Sequence, residues 1–159
     1  MKVESAVKRF MRDYRGELTF TELKNYLENN LHYKLLFFDT TIAKKEIEFL
    51  KLKVPKKEKG LTVNVSEGTS KFVFMRPNLS DDDKIHCILH EIGHIVLGHM
   101  DISSRELSNE RTEQDAELFS YLVISAMKRR ETRPQRIAVC VAAVSVVVSV
   151  ITVVLALIL

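Results

Sequence analysis

The sequence predicts a small α+β domain followed by one C-terminal transmembrane helix. Three observations lead there. Segments with apolar residues at helical spacing alternate with short strand-like runs and one hairpin signal. A central segment reads His90-Glu91-Ile92-Gly93-His94, an HExxH motif inside a helical pattern. From Ile137 to Leu159 no residue is charged, and in a helix that run covers roughly 35 Å, enough to cross a hydrocarbon core.

The elements follow in order. Ser5 to Tyr14 carries Val7, Phe10, Met11 and Tyr14 at helical spacing, with Gly16 marking its end. Thr21 is a candidate cap for a second helix running to about Asn30, its period set by Leu23, Tyr26 and Leu27. Tyr33 to Phe38 is rich in aromatic and aliphatic residues and reads as a buried strand. Ile42 to Lys53 fits either a helix or an irregular edge.

Pro55 to Gly60 reads as a loop. Lys56, Lys57 and Lys59 lie in it, but no aromatic residue interleaves with them, so a solvated loop is favoured over a nucleic-acid contact. Leu61 to Val65 and Lys71 to Met75 flank Glu67-Gly68-Thr69, which predicts a hairpin and a small antiparallel sheet. Ser80 is positioned to cap the HExxH helix through the backbone N–H of Asp83, and Asp81 to Asp83 suit its positive end. Gly98 is a natural stop. After a polar stretch from Asp101 to Arg111, a last helix is expected from Thr112 to about Arg130.

The boundaries predicted are thus 1–130 for the domain, 131–136 for a basic juxtamembrane linker and 137–159 for the span. The net charge of +3 is weak evidence for an anionic partner. Much of the excess lies in Lys128, Arg129, Arg130, Arg133 and Arg136, beside the apolar run. Such a cluster is expected on the cytoplasmic side, so the expected location is the cell membrane, single-pass, with the N-terminal domain in the cytoplasm. Ala138, Ala142, Ser145, Ser149, Thr152 and Ala156 form a small-residue stripe of the kind through which transmembrane helices make homo-oligomers, although such residues are common in any span. Cys87 and Cys140 would have to join two different solvents to form a disulfide, and the usage fits a reducing compartment.

The chemistry centres on His90 and His94. One helical turn apart, they share a face and can hold one Zn²⁺. Glu91 stands beside them as the catalytic residue, a general base for water attack on a peptide bond. Ile85, Ile88, Leu89, Ile92, Val96 and Leu97 make the helix largely apolar. Burying unpaired polar groups there is costly unless a metal engages them. A catalytic zinc site needs a third protein ligand. In the following helix Glu113, Ala116, Glu117 and Ser120 share a face whose small residues allow close approach, while Asp115 points away. Glu113 is the choice for third metal ligand, with Glu117 orienting a histidine; the two exchanged are the alternative third-ligand assignment. His99 falls outside the metzincin spacing and reads as a structural or outer-sphere residue. His86 reads as an exposed residue near the helix start. His86 and Tyr121 are too weakly indicated to be assigned an oxyanion role.

The stretch from His90 to His99, followed by Glu113-Gln114-Asp115-Ala116-Glu117-Leu118-Phe119-Ser120, resembles the ImmA/IrrE metallopeptidase family. Glu113, Asp115, Ala116 and Phe119 match that family's second helix. Glu117 stands where Asn or Asp is usual, and Leu122-Val123-Ile124-Ser125 replaces the usual ending. The resemblance extends loosely back to Phe20. It implies a zincin-like metallopeptidase domain, Zn²⁺ as cofactor, and regulatory cleavage of a protein substrate such as a DNA-binding repressor. No direct nucleic-acid contact is expected, since no aromatic residue interleaves with the loop lysines. The reading is therefore a membrane-anchored zinc endopeptidase. Its alternatives are a non-catalytic zinc-binding sensor or antirepressor acting by protein binding, and a docking protein at the membrane.

Overall fold

In the computed structural model the described residues are 2–52, 54, 59–64, 71–99 and 110–132. They fall into two compact units, 1–124 and 125–159. Of the second, the described residues 125–132 are helical.

The first helix, α1 (Val3–Asp13), buries Val3, Ala6, Val7 and Phe10 on one face. α2 (Phe20–Asn29) is capped by Thr19, not Thr21: the Thr19 hydroxyl accepts from the Glu22 backbone N–H at 3.3 Å. β1 (Lys34–Phe37) follows. The ambiguous segment is a helix, α3 (Thr41–Phe49), whose start is decided by Thr40 accepting from Ala43 N–H. β2 (Gly60–Asn64) and β3 (Lys71–Met75) pair antiparallel as the hairpin signal predicts. Its turn at Glu67 to Thr69 lies outside the described residues, as do Lys56 and Lys57.

The sheet corrects one expectation. Its order is β1-β3-β2, and β1 runs parallel to β3, so it is mixed rather than antiparallel. The chain passes through α3 and β2 between those parallel neighbours, a connection long enough for a parallel pair. β3 is central, which is why Phe72, Val73, Phe74 and Met75 are all buried and polar alternation is missing. On one side of the sheet Leu36, Phe72 and Phe74 pack with Ala43 of α3, joined by Leu61 and Val63 of β2. By the pleat, Gly60 and Thr62 face the opposite side.

That opposite side meets α4 (Asp81–Leu97), which also packs on α1 and α2. Ser80 caps it through Asp83 N–H at 3.1 Å. Gly98 ends it in the left-handed region, at φ 77°. Residues 110–132 are helical and are called α5; the expected Thr112 lies within them. Phe119 of α5 is fully buried and meets Phe10 edge-on at 5.6 Å, tying α5 to α1. Gly93 admits the close approach of α5: a Cβ there would lie 3.1 Å from Phe119 Cδ1 and 3.3 Å from the Ala116 backbone.

The expected membrane location is overturned. Among the described residues no helix is long and apolar enough to cross a membrane. α4 spans about 25 Å and begins with three aspartates. α5 is longer but carries Glu113, Glu117, Lys128 and Arg129 among other charges. The segment 137–159, with Cys140 and the small-residue stripe, lies outside the described residues, as does the expected linker from 133 onward.

Candidate metal centre

His90 and His94 project from one face of α4, and Glu113 reaches them from α5. The three offer one ligand atom each within 4.8 Å of one another. His90 Nε2 and His94 Nε2 are 3.1 Å apart. Glu113 Oε2 lies 3.1 Å from His90 Nε2, and Glu113 Oε1 lies 3.3 Å from His94 Nε2. Zinc bonds of 2.0–2.1 Å in a tetrahedron need ligand atoms about 3.3 Å apart. The separation of the two imidazole nitrogens is close to that edge, each lies near one Glu113 oxygen, and two imidazoles with a carboxylate are a donor set that suits a zinc ion.

The far nitrogens of both rings are engaged. His90 Nδ1 lies 3.3 Å from Glu117 Oε2, and His94 Nδ1 lies 3.2 Å from His99 Nδ1. An imidazole that keeps Nε2 as a lone pair carries its proton on Nδ1, and these neighbours are positioned to accept it. Gly98 makes the second contact possible. Its left-handed turn brings the His99 backbone N–H to the His94 carbonyl at 3.0 Å, folding the His99 ring back on His94. The geometry thus favours Glu113 over Glu117 beside the Nε2 pair, and it gives His99 an outer-sphere place.

His86 departs from the exposed residue expected. Its Nε2 lies 3.3 Å from Glu117 Oε1 and 3.2 Å from Ser120 Oγ. The Ser120 hydroxyl donates to the Glu117 carbonyl at 2.8 Å, so its lone pairs can receive the His86 N–H. Glu117 therefore stands between two histidines of α4. Tyr121 is exposed and meets the His86 ring edge-on at 5.4 Å. Cys87 is buried.

Glu91 is 5 % exposed, and its Oε2 accepts from the Thr62 hydroxyl across 29 residues of sequence. Burial pushes its carboxyl up, opposed by the Thr62 hydrogen bond and by both imidazoles. The hydrogen bonds from His90 and His94 hold the Glu113 carboxyl far below the usual carboxylate range. At His90 burial pulls the pKa down, but Glu113, Glu91 and Glu117 outweigh it and leave the pKa raised. Thr62 and Gly60 escape a sequence reading. Their one signal is the polar alternation of β2, which looks like a solvent face but is turned toward α4.

Residues 42–138 match the IrrE N-terminal-like domain of the peptidase M78 family. The chain belongs to this family. The match spans more than half of the chain and holds every residue of the metal cluster, beginning at residue 42 rather than reaching back to Phe20. No curated protein and no solved structure matches the chain. Membership of M78 agrees with the α+β fold and its small mixed sheet, and suggests a metallopeptidase. The His90, His94 and Glu113 cluster is consistent with a metal-dependent peptidase of that family.

Proposed function

We propose that the chain is a zinc-dependent endopeptidase in which His90, His94 and Glu113 hold the metal and Glu91 is the general base. The observation that carries this reading is the gathering of His90, His94 and Glu113 with one ligand atom each within 4.8 Å, beside the buried carboxylate of Glu91. Zinc, when bound, supplies a Lewis acid that polarises a scissile carbonyl and acidifies water. Glu91 takes a proton from the attacking water and returns it to the leaving amine. With zinc bound, Glu117 and His99 would take the imidazole protons on Nδ1, leaving both Nε2 lone pairs free for the metal. The substrate is a protein or peptide, and a DNA-binding repressor is the class the family suggests.

The test is Glu91→Gln in the full chain. Zinc content should equal that of the parent protein, and turnover of a quenched-fluorescent peptide library should fall by about 10²- to 10⁴-fold. A Gln variant that cleaves like the parent protein would refute the general-base role of Glu91, and a parent protein that binds zinc but cleaves nothing would leave a binding-only zinc sensor as the better description.

A further inference from the structure

We infer that the strand β2 seats the general base, with Thr62 as a positioning residue for Glu91 and Gly60 as the gap that admits its carboxylate. The inference rests on the reading of Glu91 as base and extends it to residues outside the motif. Glu91 is buried, so its carboxylate needs partners from the protein. Its Oε2 finds one in the Thr62 hydroxyl, from a strand far away in sequence.

Gly60 acts on the other oxygen. A Cβ built at Gly60 would lie 2.5 Å from Glu91 Oε1 and 2.8 Å from Cys87 Sγ. Such separations are well inside van der Waals contact, so any side chain there displaces the carboxylate or the thiol. Gly60 and Thr62 point the same way because they are two residues apart on a strand. Their register is held by the antiparallel pairs Gly60 with Met75 and Thr62 with Val73. Leu61, the residue between them, packs on the α3 side. One strand therefore contributes core on one face and a carboxylate seat on the other. A one-residue slip of β2 would present Leu61 to Glu91 and abolish the seat.

A hydrogen bond that only fills space and one that aims a base make different demands on Thr62. Thr62→Val keeps the shape and removes the donor. Thr62→Ser keeps the donor and removes a methyl group. In the zinc-loaded full chain with ¹³C-labelled glutamate, the Glu91 carboxyl resonance is identified by its disappearance in Glu91→Gln. The expected result is that this resonance moves in Thr62→Val and returns toward the parent position in Thr62→Ser. On the quenched-fluorescent peptide library, Thr62→Val should lower kcat by about 10- to 100-fold with KM within about twofold, and Thr62→Ser should recover most of it. Zinc stoichiometry should be that of the parent protein in both. Gly60→Ala should move the same resonance.

The proposal is overturned if Thr62→Val leaves the resonance unmoved, or leaves kcat at the parent value while Glu91→Gln is inactive. It is also overturned if Thr62→Ser is the more damaging change, since that would make the methyl group the important part. If Glu91→Gln itself turns over like the parent protein, the general-base reading of Glu91 is lost, and the resonance alone still decides whether Thr62 holds the carboxylate.

Discussion

Glu117 Oε2 sits 3.3 Å from His90 Nδ1, on the opposite edge of the ring from the Nε2 that Glu113 approaches. Two glutamates one turn apart on α5 thus flank a single imidazole, one toward the ligand cluster and one behind it. The consequence is unequal. Glu113→Ala removes one of the three proposed ligands and should abolish tight zinc binding. Glu117→Ala leaves all three and should weaken zinc by about 10- to 100-fold. Competition with a zinc chelator of known affinity separates the two, and equal losses would contradict these roles.

The same logic applies to His99. Its ring meets His94 Nδ1 because Gly98 adopts the left-handed region. His99→Ala should weaken zinc within the same range as Glu117→Ala. Gly98→Val, strained at that φ, should weaken zinc without touching any ligand. Zinc titration of both variants, with parent-like circular dichroism as the folding control, is the check.

The approach of α5 to α4 depends on Gly93. Alanine is better than glycine within a helix by about 1 kcal/mol. At Gly93 its Cβ would press on the Ala116 backbone, which cannot yield as a flexible side chain can. Gly93→Ala should therefore forfeit that benefit, and Gly93→Val should cost about 1–3 kcal/mol or more. Urea denaturation measures it. Loss of zinc affinity should accompany loss of stability, because the displaced helix carries Glu113.

The pH dependence has opposite signs with and without metal. In the metal-free chain His90 has a pKa raised above 6.5, with burial outweighed by its carboxylate neighbours. A raised imidazole contributes stability in full below its unfolded value of 6.5, and that contribution is lost as pH rises through the folded value. Zinc needs the neutral ring, so its affinity increases over the same window. The rise in melting temperature on adding zinc should thus be larger at about pH 8 than at about pH 6. Equal increments at both would contradict the coupling of His90 to the site.

Much of the centre was legible in one dimension because its parts obey local geometry. The i, i+4 spacing puts His90 and His94 together on any helix, and Ser80 and Gly98 mark the ends of that helix by capping chemistry that needs no neighbours. The small face of Glu113, Ala116, Glu117 and Ser120 was legible for the same reason. The antiparallel β2–β3 pair also follows from a local turn signal.

What remained was decided by contacts between segments distant along the chain. Helical period alone cannot say which of Glu113 and Glu117 meets the Nε2 atoms, because both lie on one face; the crossing of α4 and α5 decided it, through Gly93 and Ala116. Nor can it say that β1 runs parallel to β3, since strand direction depends on how the chain returns. The polar side of β2 looks the same in sequence whether it meets water or a buried carboxylate. Only the packed sheet brought Thr62 to Glu91.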